Sequence, residues 1–229
     1  MIILITGTRK GIGLELTKNF LQRGDTVIGC SRGKSDLHSE NYTHFEADVA
    51  NEDDVAKVFS FIRKNFNRLD ALINNAGIAS MNHSLLTPIN TVRNVFETNA
   101  VGTFLFCRES AKIMKKNHSG RIVNFSTVAV PLKLDGESVY AASKAAIISI
   151  TQTLAREYAE FGITVNAIGP TPVETDLIRN VPKEKIDRLL DRQAIRRFGT
   201  VDDIQNVIDF FLKQESNFIT GQIVYLGGI

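Results

Sequence analysis

The chain has 229 residues, 43% of them hydrophobic and 23% charged, with a formal net charge of +2. That balance excludes a disordered, collagen-like or coiled-coil chain, and the near-neutral charge argues against a nucleic-acid partner. Two cysteines, Cys30 and Cys107, are too few for a disulfide scaffold, and no run approaches the ~18 apolar residues of a membrane span, so a cytoplasmic protein without membrane contact is expected.

Met1-Ile2-Ile3-Leu4-Ile5 leads straight into Thr6-Gly7, which reads as a buried strand ending in a glycine turn rather than a secretory signal. From there short apolar runs alternate with stretches of helical period. Strands are predicted over 2–6, 26–30, 44–46, 71–74, 121–125, 164–168 and 222–226, and helices over 11–22, 53–65, 92–116, 140–160 and 202–213. Several strands are apolar on both faces, as a sheet covered by helices on both sides requires. The alternation predicts one α/β domain over 1–229, a doubly wound, mostly parallel seven-stranded sheet with helices on both faces. Connections at 78–88 and 169–200 interrupt it. The second is far longer than such loops usually are and follows a strand's C-terminal end, where a substrate lid is expected.

Between the first strand and first helix runs Thr6-Gly7-Thr8-Arg9-Lys10-Gly11-Ile12-Gly13. Glycines let backbone N–H groups approach a pyrophosphate, and the helix N-terminus favours its charge. The spacing is G-x-x-x-G-x-G, not G-x-G-x-x-G, so a plain strand-to-helix turn is the competing reading. After the second strand comes Cys30-Ser31-Arg32-Gly33-Lys34, with no carboxylate before Asp36. A ribose 2′-hydroxyl calls for a carboxylate there and a 2′-phosphate for a cation. Arg32, with Arg9 and Lys10, therefore points to NADP rather than NAD.

Tyr140 and Lys144, in Tyr140-Ala141-Ala142-Ser143-Lys144, fall at i and i+4 on one helical face. A lysine beside a phenol stabilises the phenolate and lowers its pKa towards general acid–base use. Alone the pair is common by chance.

Together, TGTRKGIG at 6–13, NNAG at 74–77, ETNAVGTF at 97–104 and YAASK at 140–144 resemble the short-chain dehydrogenase/reductase family. VNAIGPTPVETDL at 165–177 and NFITGQIVYLGG at 217–228 extend the resemblance over the whole chain, most closely to the subfamily that includes the 3-oxoacyl-(acyl-carrier-protein) reductases. The resemblance implies a Rossmann-like NAD(P)-binding domain and an oxidoreductase interconverting a carbonyl and a secondary alcohol. It makes Tyr140 the proton donor/acceptor and Lys144 its tuner and a ribose contact. Asn99 would hold a water of the proton relay, and the glycine-loop residues Gly7, Gly11, Ile12 and Gly13 would meet the pyrophosphate. Asn75, Ala76 and Gly77 would line the adenosine side, and Asp48 and Val49 would contact adenine. Pro170, Val173 and Thr175 would meet the nicotinamide carboxamide. Ser31 falls where NAD-preferring members carry aspartate, and Arg32 follows it.

Two positions depart from the family pattern. The serine expected thirteen positions before the tyrosine is Thr127, with Ser126 just before it. Neighbouring residues after a strand point opposite ways, so only one of the two can face the nicotinamide; the spacing in the resembled family selects Thr127 to orient the carbonyl, with Ser126 secondary. Thr171 stands where the family has glycine, and is expected to limit backbone freedom near the nicotinamide. Residues 179–197 hold seven basic and three acidic side chains, which suits an anionic or carrier-bound substrate, or else a solvated helix with Ile186, Leu189 and Leu190 inward. The resemblance also implies a homo-oligomer, tetramer or dimer, with the stretch 219–229 at an interface. No metal site is expected. A non-catalytic cofactor sensor on the same fold is the alternative function. An epimerase or dehydratase fits poorly, because such relatives carry a different glycine loop.

Overall fold

The computed structural model describes residues 1–173 and 183–229. Strands β1 (Ile2–Thr6), β2 (Thr26–Ser31), β3 (Tyr42–Glu46), β4 (Ala71–Asn74), β5 (Gly120–Phe125), β6 (Ile163–Gly169) and β7 (Ile223–Tyr225) form one sheet in the order β3-β2-β1-β4-β5-β6-β7. Every pairing is parallel. The chain runs outward from β1 to β3 and then returns to place β4 on β1's other side. The loops leaving β1 and β4 therefore diverge, and a crevice opens between them at the carboxyl edge of the sheet.

Helices cover both faces. Residues Leu16 and Phe20 of α1 (Gly11–Gln22) and Ile204, Ile208 and Phe211 of α8 (Val201–Leu212) pack with Ile3, Ile5 and Ile73 in one core layer. The opposite layer joins Val55, Phe59 and Ile62 of α2 (Glu52–Asn65), Phe106 and Met114 of α4 (Gly102–Met114) and Leu154 of α6 (Ser138–Glu157) to Leu4, Ile28 and Leu72. Because adjacent strand residues face opposite layers, burying both leaves no polar face, and the inner strands read as mostly apolar runs. A single doubly wound α/β domain results.

The caps explain several boundaries. Asn51 accepts from the Asp54 amide at 3.0 Å and starts α2, with Glu52, Asp53 and Asp54 at the positive end of the helix dipole. Thr200 and Asp203 form a reciprocal capping box at α8. Arg197 donates twice to Asp203, at 2.7 and 2.9 Å, and holds that carboxyl well below the usual carboxylate range.

One predicted helix is divided. Residues 92–116 are not continuous: α3 (Ile89–Phe96) passes through a π turn (Glu97–Val101) into α4, which ends in a 3₁₀ turn (Lys115–Asn117). The cause is local. The Gly102 amide bonds back to the Glu97 carbonyl, five residues away, and Asn99 turns its side chain out of the helix to bind elsewhere. The short helix α5 (Ala129–Leu132) lies between β5 and α6, and α7 (Lys183–Leu190) lies within the long connection at 169–200.

Candidate active site

The glycine turn after β1 is braced from inside the fold. Gly7 and Gly11 have φ of 76° and 60°, which a side chain would strain. The Asn75 amide donates to the carbonyls of Thr6 (2.9 Å) and Gly7 (3.3 Å), and the Thr6 hydroxyl accepts from the Ala76 amide at 2.9 Å. Asn75 thus positions the turn as well as lining the crevice. Gly13 does not reach the crevice wall. It packs beneath the turn, where any Cβ would collide with the Gly7 carbonyl, so it serves helix–strand packing rather than direct contact. Lys10 is the N-cap of α1 and makes no side-chain cap bond to its first turn.

A cleft of about 820 Å³ runs along the carboxyl edge from this turn to α7. At one end Gly7, Arg9, Lys10, Gly11 and Ile12 face Ser31, Arg32 and Gly33, so the three cations expected to gather here do so. Arg9 and Arg32 are exposed. Along the middle lie Asp48, Val49, Asn75, Ala76 and Gly77. These groups fit a dinucleotide with an extra phosphate: a glycine turn at a helix N-terminus with cations at one end, and a glycine-lined passage beyond.

At the other end Ser126, Thr127, Tyr140, Lys144, Pro170 and Val173 share the wall. Thr175 lies outside the described residues. The first turns of α6 present Tyr140 and Lys144 one turn apart, as their spacing predicts. Lys144 is buried, donates to the Phe125 carbonyl at 2.8 Å, and its Nζ stands 6.0 Å from the centre of the Tyr140 ring. Burial lowers its pKa to about 8. Burial pushes the Tyr140 phenol up to about 12, and hydrogen bonding by the Thr127 side chain draws it back only in part. The expected lowering by Lys144 is therefore not what governs the phenol. The lysine is held by a backbone carbonyl instead, and the low dielectric around the ring dominates.

Thr127 and Ser126 part company as the register predicts. Thr127 interacts with Tyr140, and its Oγ1 also accepts from the Ala129 amide at 3.2 Å. Ser126 Oγ instead donates to the Lys144 carbonyl at 3.3 Å. Thr171 is buried and has no positive φ, so its side chain sits there without backbone strain. Its hydroxyl accepts from Gln193, and its methyl occupies space left by Gly199, where a Cβ would sit 2.8 Å away.

Asn99 is fully buried. Its Oδ1 accepts from the Ile78 amide at 2.8 Å, while Nδ2 donates to the Ile78 carbonyl and to Ser143 Oγ, both at 2.9 Å. Ser143 donates in turn to the Tyr140 carbonyl at 2.7 Å. Sequence reasoning passed over Ser143, although its place three residues after Tyr140 puts it on the same face. It also missed Lys133, which lines the cleft at a φ of 51°. Arg188 and Arg192, two of the basic residues counted at 179–197, line the cleft with Ile186 and Leu189. Among the described residues no three His, Cys, Asp or Glu side chains gather to hold a metal, and no helix is long and apolar enough to cross a membrane.

A family model described as Enoyl-(Acyl carrier protein) reductase matches residues 7–228. The chain is 30% identical to the 3-oxoacyl-(acyl-carrier-protein) reductase FabG of Escherichia coli (strain K12), over 99% of this chain and 96% of the relative. It is 29% identical to the FabG of Buchnera aphidicola subsp. Baizongia pistaciae over the same shares. Among solved structures it is similar to ElxO with NADP bound, with a TM-score of 0.89, 30% identity and coverage of 98% and 96%. The ligand-free aldohexose dehydrogenase of Thermoplasma acidophilum gives a TM-score of 0.90 at 28% identity, over 99% and 92% of the two chains.

Proposed function

The chain belongs to the short-chain dehydrogenase/reductase family, and from that premise we propose an NADP-dependent enzyme that interconverts a carbonyl and a secondary alcohol through Tyr140. One observation carries the reading. Tyr140, Thr127 and Lys144 share a single cleft with a glycine turn flanked by Arg9 and Arg32.

NADP is the cofactor, and when bound its nicotinamide supplies or takes the hydride. Tyr140 keeps its proton at neutral pH because burial holds the phenol near 12, and it donates that proton to the oxygen of a carbonyl under reduction. Thr127 presents a hydroxyl beside the phenol to orient that oxygen. Lys144 places a cation one helical turn from Tyr140, and Asn99 with Ser143 fixes the backbone that carries both. Arg9 and Arg32 meet the 2′-phosphate. Val49 and Asp48 border the base, and Pro170 and Val173 border the nicotinamide.

The substrate is proposed to be a 3-oxoacyl compound with an anionic or carrier-bound group. The named activity of the FabG relatives and the positions of Lys133, Arg188 and Arg192 at the cleft support this. The expected lid at 169–200 is represented by residues 170–173, α7 and Arg192, which border the cleft, while residues 174–182 of it lie outside the described residues. The protein works in the cytoplasm as a homo-oligomer. Support comes from exposed apolar side chains such as Leu85, Leu86 and Phe218.

The test is NADPH consumption with a panel of 3-oxoacyl thioesters, diketones and simple ketones. Tyr140→Phe should abolish turnover while NADPH binding survives. Near-normal turnover in that variant would remove the assignment. A wild-type protein that binds NADPH but turns over no carbonyl would instead be a sensor.

A further inference from the structure

Behind the Ser31, Arg32 and Gly33 turn lies a polar cluster that the proposed reaction does not use. His44, on the edge strand β3, brings Nε2 within 3.0 Å of the Gly33 carbonyl and 3.3 Å of Ser31 Oγ. Its Nδ1 lies 2.9 Å from the Tyr42 hydroxyl and 3.3 Å from Thr8 Oγ1. Tyr42 also donates to Thr8 at 2.9 Å, and Ser31 donates to the Gly33 carbonyl at 2.8 Å. A carbonyl only accepts, so Nε2 carries the ring proton, and with the single Tyr42 proton given to Thr8, Nδ1 accepts from the Thr8 hydroxyl. The imidazole therefore bridges two separate loops, the glycine turn through Thr8 and the cationic turn through Ser31 and Gly33.

The fold makes room for this bridge. Gly29 on β2 lies under it, and a Cβ there would collide with Tyr42 Oη and lie 2.5 Å from Thr8 Oγ1. Thr8, Tyr42 and His44 are not part of the cleft wall, whereas Arg9, Ser31, Arg32 and Gly33 are. Arg9 packs on Gly33, where a Cβ would come 2.9 Å from its Nη1. With two donors on its oxygen, the Gly33 carbonyl is anchored to Ser31 and, through His44, to β3, which ties down the turn that carries Arg32 and abuts Arg9.

We propose that His44 is a positioning residue that sets selectivity for a 2′-phosphate by fixing the turn at 31–33. This rests on the reading that Arg32 and Arg9 meet that phosphate. It is a prearranged site: the hydrogen bonds exist before the ligand arrives, so less ordering remains for binding to supply.

The experiment measures calorimetric binding of 2′,5′-ADP and of 5′-AMP to the full chain, alongside kcat and KM for NADPH and NADH. His44→Ala should weaken 2′,5′-ADP by about five- to tenfold, the range of one or two ordinary hydrogen bonds, and leave 5′-AMP within about twofold. KM for NADPH should rise with kcat unchanged. His44→Gln, which keeps a donor for Gly33, should recover most of the selectivity, and Tyr42→Phe should show a smaller loss of the same kind. Equal weakening of both nucleotides, or none of either, would overturn the proposal. Arg32→Ala separates the two layers. If it removes selectivity and His44→Ala does not, only the role of His44 fails; if Arg32→Ala also leaves selectivity intact, the phosphate assignment falls and takes this inference with it.

Discussion

Lys144 shows how a single residue couples chemistry to stability. Its ammonium is buried against one backbone carbonyl, and burial lowers its pKa from 10.5 to about 8. Between those values the unfolded chain binds the proton and the folded one does not, so stability rises with pH across that window. The penalty is fully present below about pH 8 and amounts to at most about 3 kcal/mol. Cys30 and Cys107, whose thiols burial pushes up to about 12, act with the opposite sign above pH 9, because the unfolded thiols ionise first. A difference measurement removes them. Lys144→Met should be more stable than wild type in urea at neutral pH, converge with it by about pH 10, and be inactive throughout. Parallel curves over that range would show that the buried charge is not costly. The neighbouring hydroxyls separate in the same manner. Thr127→Val keeps the shape, deletes the group beside Tyr140 and should lower kcat by ~10²–10³. Ser126→Ala loses only a bond to the Lys144 carbonyl and should cost less than ~tenfold.

Among the elements, the π turn at Glu97–Val101 does what a regular helix could not. It turns Asn99 inward to clamp both polar groups of Ile78 and the hydroxyl of Ser143, which links the loop after β4 to the helix carrying Tyr140. Asn99→Ala would leave the Ile78 amide and carbonyl without these partners, an expected loss of about 1–3 kcal/mol. Because Ser143 bonds the Tyr140 carbonyl, kcat should fall more than NADPH affinity does; an unchanged unfolding midpoint would argue against the clamp. The turn was not legible in the sequence, since a five-residue wide turn leaves the apolar period almost intact and no proline or glycine pair marks it. The inner strands were legible because burial on both faces leaves them mostly apolar, and the end of β2 differs from the expected boundary by a single residue. The glycine turn and the Tyr–Lys pair were legible because each is contiguous in sequence and tied to one element boundary. His44 was not. A lone histidine on an edge strand reads as a solvent-facing residue, and only the pairing of β3 with β2 sets it against Ser31 and Gly33. The helix α7 matches the solvated helix that is the alternative reading of residues 179–197, with Ile186 and Leu189 turned to the cleft, although its charged sequence left its bounds unmarked.

At the scale of the whole molecule the charge is unevenly placed. The chain nets only +2, yet among the described residues seven cations and three carboxylates line the cleft, a local excess of four positive charges. A concave surface of one sign with low-dielectric walls focuses its field and raises the local concentration of an oppositely charged ligand. Arg9, Lys10 and Arg32 place part of that field at the proposed phosphate end, while Lys133, Arg188 and Arg192 place part at the substrate end, opposed there by Asp135 and Glu137. The two ends can be told apart by salt. At about 0.01 M ionic strength the screening length of roughly 30 Å spans the cleft, and at about 1 M it falls to roughly 3 Å. KM for NADPH should therefore rise over this range with any substrate. With NADPH held saturating, KM for an anionic 3-oxoacyl substrate should rise on the order of tenfold, and that for a small neutral ketone should stay flat. Arg188→Ser with Arg192→Ser should flatten the response to the anionic substrate and leave that to NADPH in place. A salt response identical for both substrates would show that Arg188 and Arg192 do not meet the substrate.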